Sequence, residues 1–255
     1  RRVFYARFSE VQRSTDQMRK EDCMKKTGAV LLLLALLCGV NQGQNGKKKI
    51  LTVAGIGQAG YSGDSGPATQ AKLDNPFGVV RGPDGALYVC DTFNHAVRRI
   101  AANGTITTVA GTGKKGYSGD GDLAVKAELN EPYEVRFDRA SNLFFVERMN
   151  HTVRRVDVKT RVITTVAGTG AAGFSGDDGA STKAMMNQPH SIQFDQTGKL
   201  YICDILNHRI RRVDLNTGII TTFAGTGEKL PTPDGAKFAT APLNGPRAMD
   251  FDRQG

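Results

Sequence analysis

Ile106-Thr107-Thr108-Val109-Ala110-Gly111 recurs as Ile163-Thr164-Thr165-Val166-Ala167-Gly168 and as Ile220-Thr221-Thr222-Phe223-Ala224-Gly225. A fourth relative, Ile50-Leu51-Thr52-Val53-Ala54-Gly55, precedes them, and the spacings are 56, 57 and 57 residues. A short β-branched run closed by glycine reads as a strand that leaves into a tight turn. Its return at a nearly fixed interval marks a repeat architecture, in which each unit buries its apolar surface against its neighbours.

Outward from that run, each unit carries the same ingredients in the same order. First comes a glycine-rich stretch: Gly60-Tyr61-Ser62-Gly63-Asp64, Gly116-Tyr117-Ser118-Gly119-Asp120 and Gly173-Phe174-Ser175-Gly176-Asp177. The fourth copy, from Glu228 to Gly235, runs through Pro231 and Pro233 and lacks the aromatic-Ser-Gly-Asp core. An Asn-Pro or Asn-x-Pro turn follows (Asn75, Asn130, Asn187, Asn244) and leads into short alternating runs such as Ser191-Ile192-Gln193-Phe194. Next are Leu87-Tyr88-Val89-Cys90-Asp91 and its echoes at 143–147 and 200–204. Each unit then ends with Asn-His and paired arginines: Asn94-His95 with Arg98-Arg99, Asn150-His151 with Arg154-Arg155, Asn207-His208 with Arg211-Arg212. Four short strands per unit, punctuated by Gly, Asp, Asn and Pro, predict an all-β β-propeller of four-stranded antiparallel blades.

Blades begin after Asn75, Asn130, Asn187 and Asn244, so three are complete and the fourth is in its first strand at Gly255. The leading strand 50–55 has no blade of its own. It is expected to complete the last blade of a closed ring, since open sheet edges are a liability. The native product is therefore expected to continue for at least two further repeats.

These elements together resemble NHL repeats of the long variety seen in secreted bacterial propellers, and are similar to the NHL portion of teneurin-like proteins. The resemblance covers residues 50–255 and implies a ring, commonly of six blades.

Composition bounds the partners. Residues 1–49 hold 11 Lys and Arg against 4 Asp and Glu, which leaves 23 against 21 of the total 34 and 25 for residues 50–255. A nearly neutral globular part offers no concentrated basic face for phosphates, so nucleic acid is not an expected partner. The basic excess sits in front of the fold. Residues 1–23 read as upstream sequence or a misassigned start. Residues 24–43, with Lys25 and Lys26 before the apolar run Ala29 to Cys38, read as a signal peptide, and 44–49 as a linker. The apolar run is well short of the ~20 residues that span a bilayer. Cys38, followed by Gly39, is a candidate lipid anchor with an unfavourable Leu37 before it. The location expected is secreted, periplasmic or extracellular.

Several motifs invite chemistry. Gly63-Asp64-Ser65-Gly66-Pro67 looks like a protease nucleophile motif, but the repeat places Gly121 and Asp178 at the position of Ser65. His95, His151 and His208 each follow an acid (Asp91, Glu147, Asp204) by four residues. That spacing suits a turn closed by side-chain hydrogen bonds better than metal or acid–base chemistry. His190 stands outside this register, and one histidine is too little to build a site on. Cys90 and Cys203 share a repeat position two blades apart, too far for a disulfide, and are expected reduced and buried. One arginine of each pair is expected to enter the gap between blades and meet an acid. Catalytic, cofactor-binding and metal residues are none, and calcium is left open.

The connections of about 20 residues between strands are long for a propeller and should emerge on one face. Tyr61, Asp64, Tyr117, Asp120, Phe174 and Asp177 lie on them and are the candidate binding residues. The bland reading has the aromatic pin the loop and the acid cap a turn. The function expected is a non-catalytic scaffold that binds a protein or glycan through this face. The wider six-bladed group supplies an alternative, a gluconolactonase-like or lyase-type enzyme with a metal in the central channel. It needs unlike polar residues on the inner strands, and the runs 78–81, 135–138, 191–194 and 248–251 show no such cluster. An RNA-binding NHL domain is the remaining alternative.

Overall fold

A computed structural model describes residues 50–252. The expected signal peptide and linker, the candidate anchor at Cys38 and the expected upstream segment lie outside the described residues. Three antiparallel sheets follow one another along the chain, two of four strands and a third of four strands with a short fifth on its edge. The first blade is β1 (Pro76–Arg81), β2 (Leu87–Asp91), β3 (Ala96–Ile100) and β4 (Ile106–Ala110). The second is β5 (Pro132–Phe137), β6 (Leu143–Glu147), β7 (Thr152–Val156) and β8 (Ile163–Ala167). A two-residue strand, β9 (Gly179–Ala180), then precedes the third: β10 (Pro189–Phe194), β11 (Leu200–Asp204), β12 (Arg209–Asp214) and β13 (Ile219–Ala224). β9 pairs with the outer edge of β13.

Alternation along each strand sends side chains to both faces of the blade. Between the first two blades lie Cys90, Val97, Val135, Phe145 and Ile163. Phe144, Val146, Val153, Ile192, Ile202 and Ile220 form the next layer. Burial of each large apolar side chain is worth roughly 1.5–3 kcal/mol. Cys90 and Cys203 are free and buried, as expected. Residues 50–55 depart from expectation: they form no strand, and Ile50 and Leu51 are exposed. Their one ladder-like bond is the Gly55 amide donating to the Ala68 carbonyl at 2.9 Å, so no partner strand holds them among the described residues.

The first arginine of each pair enters the interior and meets an acid, as expected. Arg98, Arg154 and Arg211 are fully buried. Strand alternation puts Arg98 on the face of the first blade that carries Val89 and Ile100, opposite Val89 in the ladder. A buried guanidinium must be paired and hydrogen-bonded. Arg98 donates to Asp91 at 3.1 Å, to Asp64 at 2.8 Å and to the Ser62 carbonyl at 3.1 Å. Arg154 repeats this with Glu147 at 2.6 Å, Asp120 at 2.7 Å and Ser118 at 3.1 Å. Arg211 does so with Asp177 at 2.7 Å, the Ser175 carbonyl at 3.2 Å and Asp204 at 3.5 Å. The salt bridges thus tie a blade to the loop that covers it. The expectation that Asp64, Asp120 and Asp177 cap turns is corrected, because their oxygens serve the arginine.

The blade acid is equally committed. Asp91 accepts from the Asp74 amide at 2.7 Å and from Asn94 at 2.9 Å, and the Asn94 amide also donates to the Gly60 carbonyl at 2.6 Å. Burial pushes Glu147 up to about 7 and Asp204 up to about 6, against the pull of their hydrogen bonds and arginines.

Methionine in place of Arg98 would leave Asp91 buried without its charge partner. R98M should lower unfolding free energy by about 3–5 kcal/mol, whereas R99M, which breaks a half-exposed pair with Asp84, should cost no more than about 1 kcal/mol. Urea denaturation of both variants checks this, and equal losses would refute it.

Candidate functional site at the channel mouth

Two local devices set the position of each inner strand. The histidine of every Asn-His pair is left-handed, with φ of 49°, 55° and 53°. Its ring Nδ1 accepts a backbone N–H from the turn of the next unit: Glu131 to His95 at 3.2 Å, Gln188 to His151 at 3.0 Å and Gly245 to His208 at 3.1 Å. The expected turn role is therefore present, with a tie to the following blade added. Burial lowers the pKa of His95 and His151, which suits an acceptor nitrogen.

The long connections supply the second device. The loop that leaves β4 docks on the outer edge of the next blade, where the Gly121 amide donates to the Ile163 carbonyl at 2.9 Å and the Ala124 amide to Arg161 at 2.9 Å. Tyr61 and Tyr117 place their rings 4.9 and 5.3 Å from Arg98 and Arg154 and share hydroxyl hydrogen bonds with Thr108 and Thr165. Phe174 has no hydroxyl, and Thr222 donates instead to Asp177 at 2.6 Å. The six loop residues expected to bind thus all engage the blade arginine, while Tyr61 remains 41% exposed. Gly168 is fixed at φ 95°, and a Cβ there would collide with the His151 carbonyl.

The residue after each turn proline is the second residue of the inner strand in the three blades, and the fourth unit has its equivalent after Pro246. In the four units it is Phe77, Tyr133, His190 and Arg247. These do not spread apart. The Phe77 and Tyr133 rings stack at 3.8 Å, Tyr133 and His190 lie 4.0 Å apart, and Phe77 and His190 6.2 Å. All four line a cleft of about 300 Å³ with Glu131, Arg148 and Gln188, and Phe93 and Leu206 stand at its rim. Arg148 pairs with Glu131, donates to Gln188 at 3.1 Å and sits 5.7 Å from the Tyr133 ring centre.

Sequence reasoning missed this cluster by one or two residues, since the inner-strand runs it inspected start at Gly78, Val135, Ser191 and Ala248. The legible signal was chemical variety at one repeat position: Asn and Pro are constant beside it, while the residue that follows changes from Phe to Tyr, His and Arg. His190, dismissed as solitary, is at its centre. As a metal site the cleft fits poorly. Its one imidazole and one carboxylate, the latter held by Arg148, fall short of a ligand set, and among the described residues no three His, Cys, Asp or Glu gather.

No family model matches the chain. NHL repeat-containing protein 2 of Bos taurus is 31% identical over 228 residues, which cover 84% of this chain and 31% of that protein. Human teneurin-4 is 32% identical over 179 residues, covering 64% and 6%. The chain therefore spans about a third or less of the length of these curated relatives. Among solved structures, an auxiliary nutrient binding protein from Bacteroides thetaiotaomicron is similar in fold, with a TM-score of 0.54 at 19% identity over 77% of this chain and 50% of that one.

Burial, then the charges of Arg247 and Arg148, lower the pKa of His190 to about 4. The folded protein holds that proton less tightly than an unfolded chain, so the contribution to stability is present above pH 6.5 and is lost as pH falls towards 4. NMR titration should find His190 neutral at pH 5, and R247M should move its midpoint upward. A His190 midpoint near 6.5 in the intact protein would contradict the cluster.

Proposed function

Taking as premise that this chain is built of NHL repeats folded as β-propeller blades, we propose that it is a secreted, non-catalytic scaffold. It binds a protein or glycan partner through the face that bears the channel mouth. The observation that carries this is the convergence of Phe77, Tyr133, His190 and Arg247 from four units onto one cleft. A repeat keeps its structural positions constant, and unlike side chains at one position are what recognition of an asymmetric partner requires. Phe93 and Leu206, 50% and 47% exposed at equivalent turn positions, add apolar surface at the rim. Aromatic and arginine side chains are the usual anchors of such surfaces.

Secretion is supported by the apolar run that follows Lys25 and Lys26. Among the described residues no helix is long and apolar enough to cross a membrane.

The full-length protein should bind saturably to a member of an array that carries glycans and proteins. The double variant F93D/L206D should lose at least tenfold in affinity while its circular dichroism is unchanged. Tyr117→Phe, which removes only a hydroxyl turned towards Thr165, should leave affinity within twofold. An array with no saturable binder would overturn the scaffold reading.

A further inference from the structure

We propose that the cleft at the channel mouth binds a sugar carboxylate, that of a uronate-bearing oligosaccharide, with Arg247 as charge partner and Phe77, Tyr133 and His190 as its wall. This deepens the partner-binding reading and rests on it.

The charge inventory of the cleft leaves one cation to spare. Arg148 is spent on Glu131 and Gln188. Arg247 is exposed, lines the same cleft and has no ion pair among the described residues. Burial and the flanking arginines lower the His190 pKa to about 4, and with one ring nitrogen engaged by the Arg247 backbone the other is what it offers a ligand. A guanidinium beside a low-dielectric aromatic wall favours a planar anion, which it can grip through two parallel N–H donors.

The rest of the lining describes the body that carries the anion. Tyr133 is largely buried between two rings, and its hydroxyl makes no hydrogen bond to another described residue. Asn75 and Gln188 bring amide groups to the cleft, and Phe77 keeps 42% of its surface open to it. Hydroxyl, imidazole and amide groups around a ring face match a ligand with several hydroxyls and an apolar face. A cleft of about 300 Å³ is at the small end of the ligand-site range and suits one or two sugar rings. An acidic peptide would satisfy Arg247 as well but would leave most of these neutral polar groups without partners. Unpaired groups in a site discriminate strongly against the ligand that lacks their partner.

Isothermal titration of the full-length protein with trigalacturonate and with a glucuronate-containing tetrasaccharide tests this. Saturable binding of at least one is expected, weaker by tenfold or more for the corresponding methyl ester, which keeps the body and removes the charge. R247M should reduce affinity at least tenfold, R247K less, and Y133F severalfold. Because Arg247 is exposed, the thermal midpoint of R247M should match the parent. Failure of both oligosaccharides to bind, equal binding of the ester, indifference to R247M, or tighter binding of a triglutamate peptide would each overturn the proposal. If the array yields a different partner while both uronates fail, this inference falls and the scaffold reading stands; a silent array together with failed titrations removes both.

Discussion

A guanidinium that lies inside a stack of β-sheets constrains everything around it. Arg98, Arg154 and Arg211 have no access to water, and a buried charge persists only where opposite charge and hydrogen-bond acceptors enclose it. One acid of the blade is not enough. The second has to come from outside the sheet, because the remaining strand positions on that face are occupied by apolar side chains such as Val89 and Ile100. The long connection exists to deliver it. Asp64, Asp120 and Asp177 arrive together with a backbone carbonyl two residues earlier and an aromatic ring over the guanidinium plane.

That delivery has a geometric consequence for neighbouring blades. Each of the loops that leave β4 and β8 docks on the outer edge of the next blade, so the arginine that captures it also ties the two sheets together. The Asn-His turn acts on two connections, the one before its blade and the one after it. Its asparagine binds both the blade acid and the loop carbonyl, and its histidine accepts the amide that begins the next inner strand. Outer edge and inner edge are thereby held by separate bonds. The inner strands enter the axis in one register, which is why Phe77, Tyr133 and His190 stack instead of passing one another.

The fold was legible because its constraints are local and repeated. Strand runs, turn glycines and Asn-Pro signals recur in order, and the three sheets follow them closely. The buried arginines were half legible: the pairing with an acid could be expected from alternation, but which acid depends on a contact across about 35 residues, and Asp64 looked like an ordinary turn residue. The leading segment 50–55 matched the strand pattern yet is no strand, since a strand needs a neighbour and its pattern cannot supply one. The cleft was least legible. Inner-strand residues reveal their convergence only once the axis is known, and His190 in sequence has nothing beside it that announces Tyr133 or Arg148.

The division between constant and variable positions then has a physical basis. Substitution at the arginine, its acids or the Asn-His turn exposes a charge or orphans a backbone amide in the interior, so these positions are locked by stability. The residue after the turn proline bears no such duty. Its backbone is held from both sides, while its side chain projects into an open cleft where Phe, Tyr, His and Arg are all accommodated. A ring of such positions lets one rigid frame present different chemistries without any change in blade packing. Farther along β5 and β10 the buried Val135 and Ile192 serve blade packing, while Glu134 pairs with Arg136 and Gln193 donates to Asp250, so those polar groups are already committed to one another.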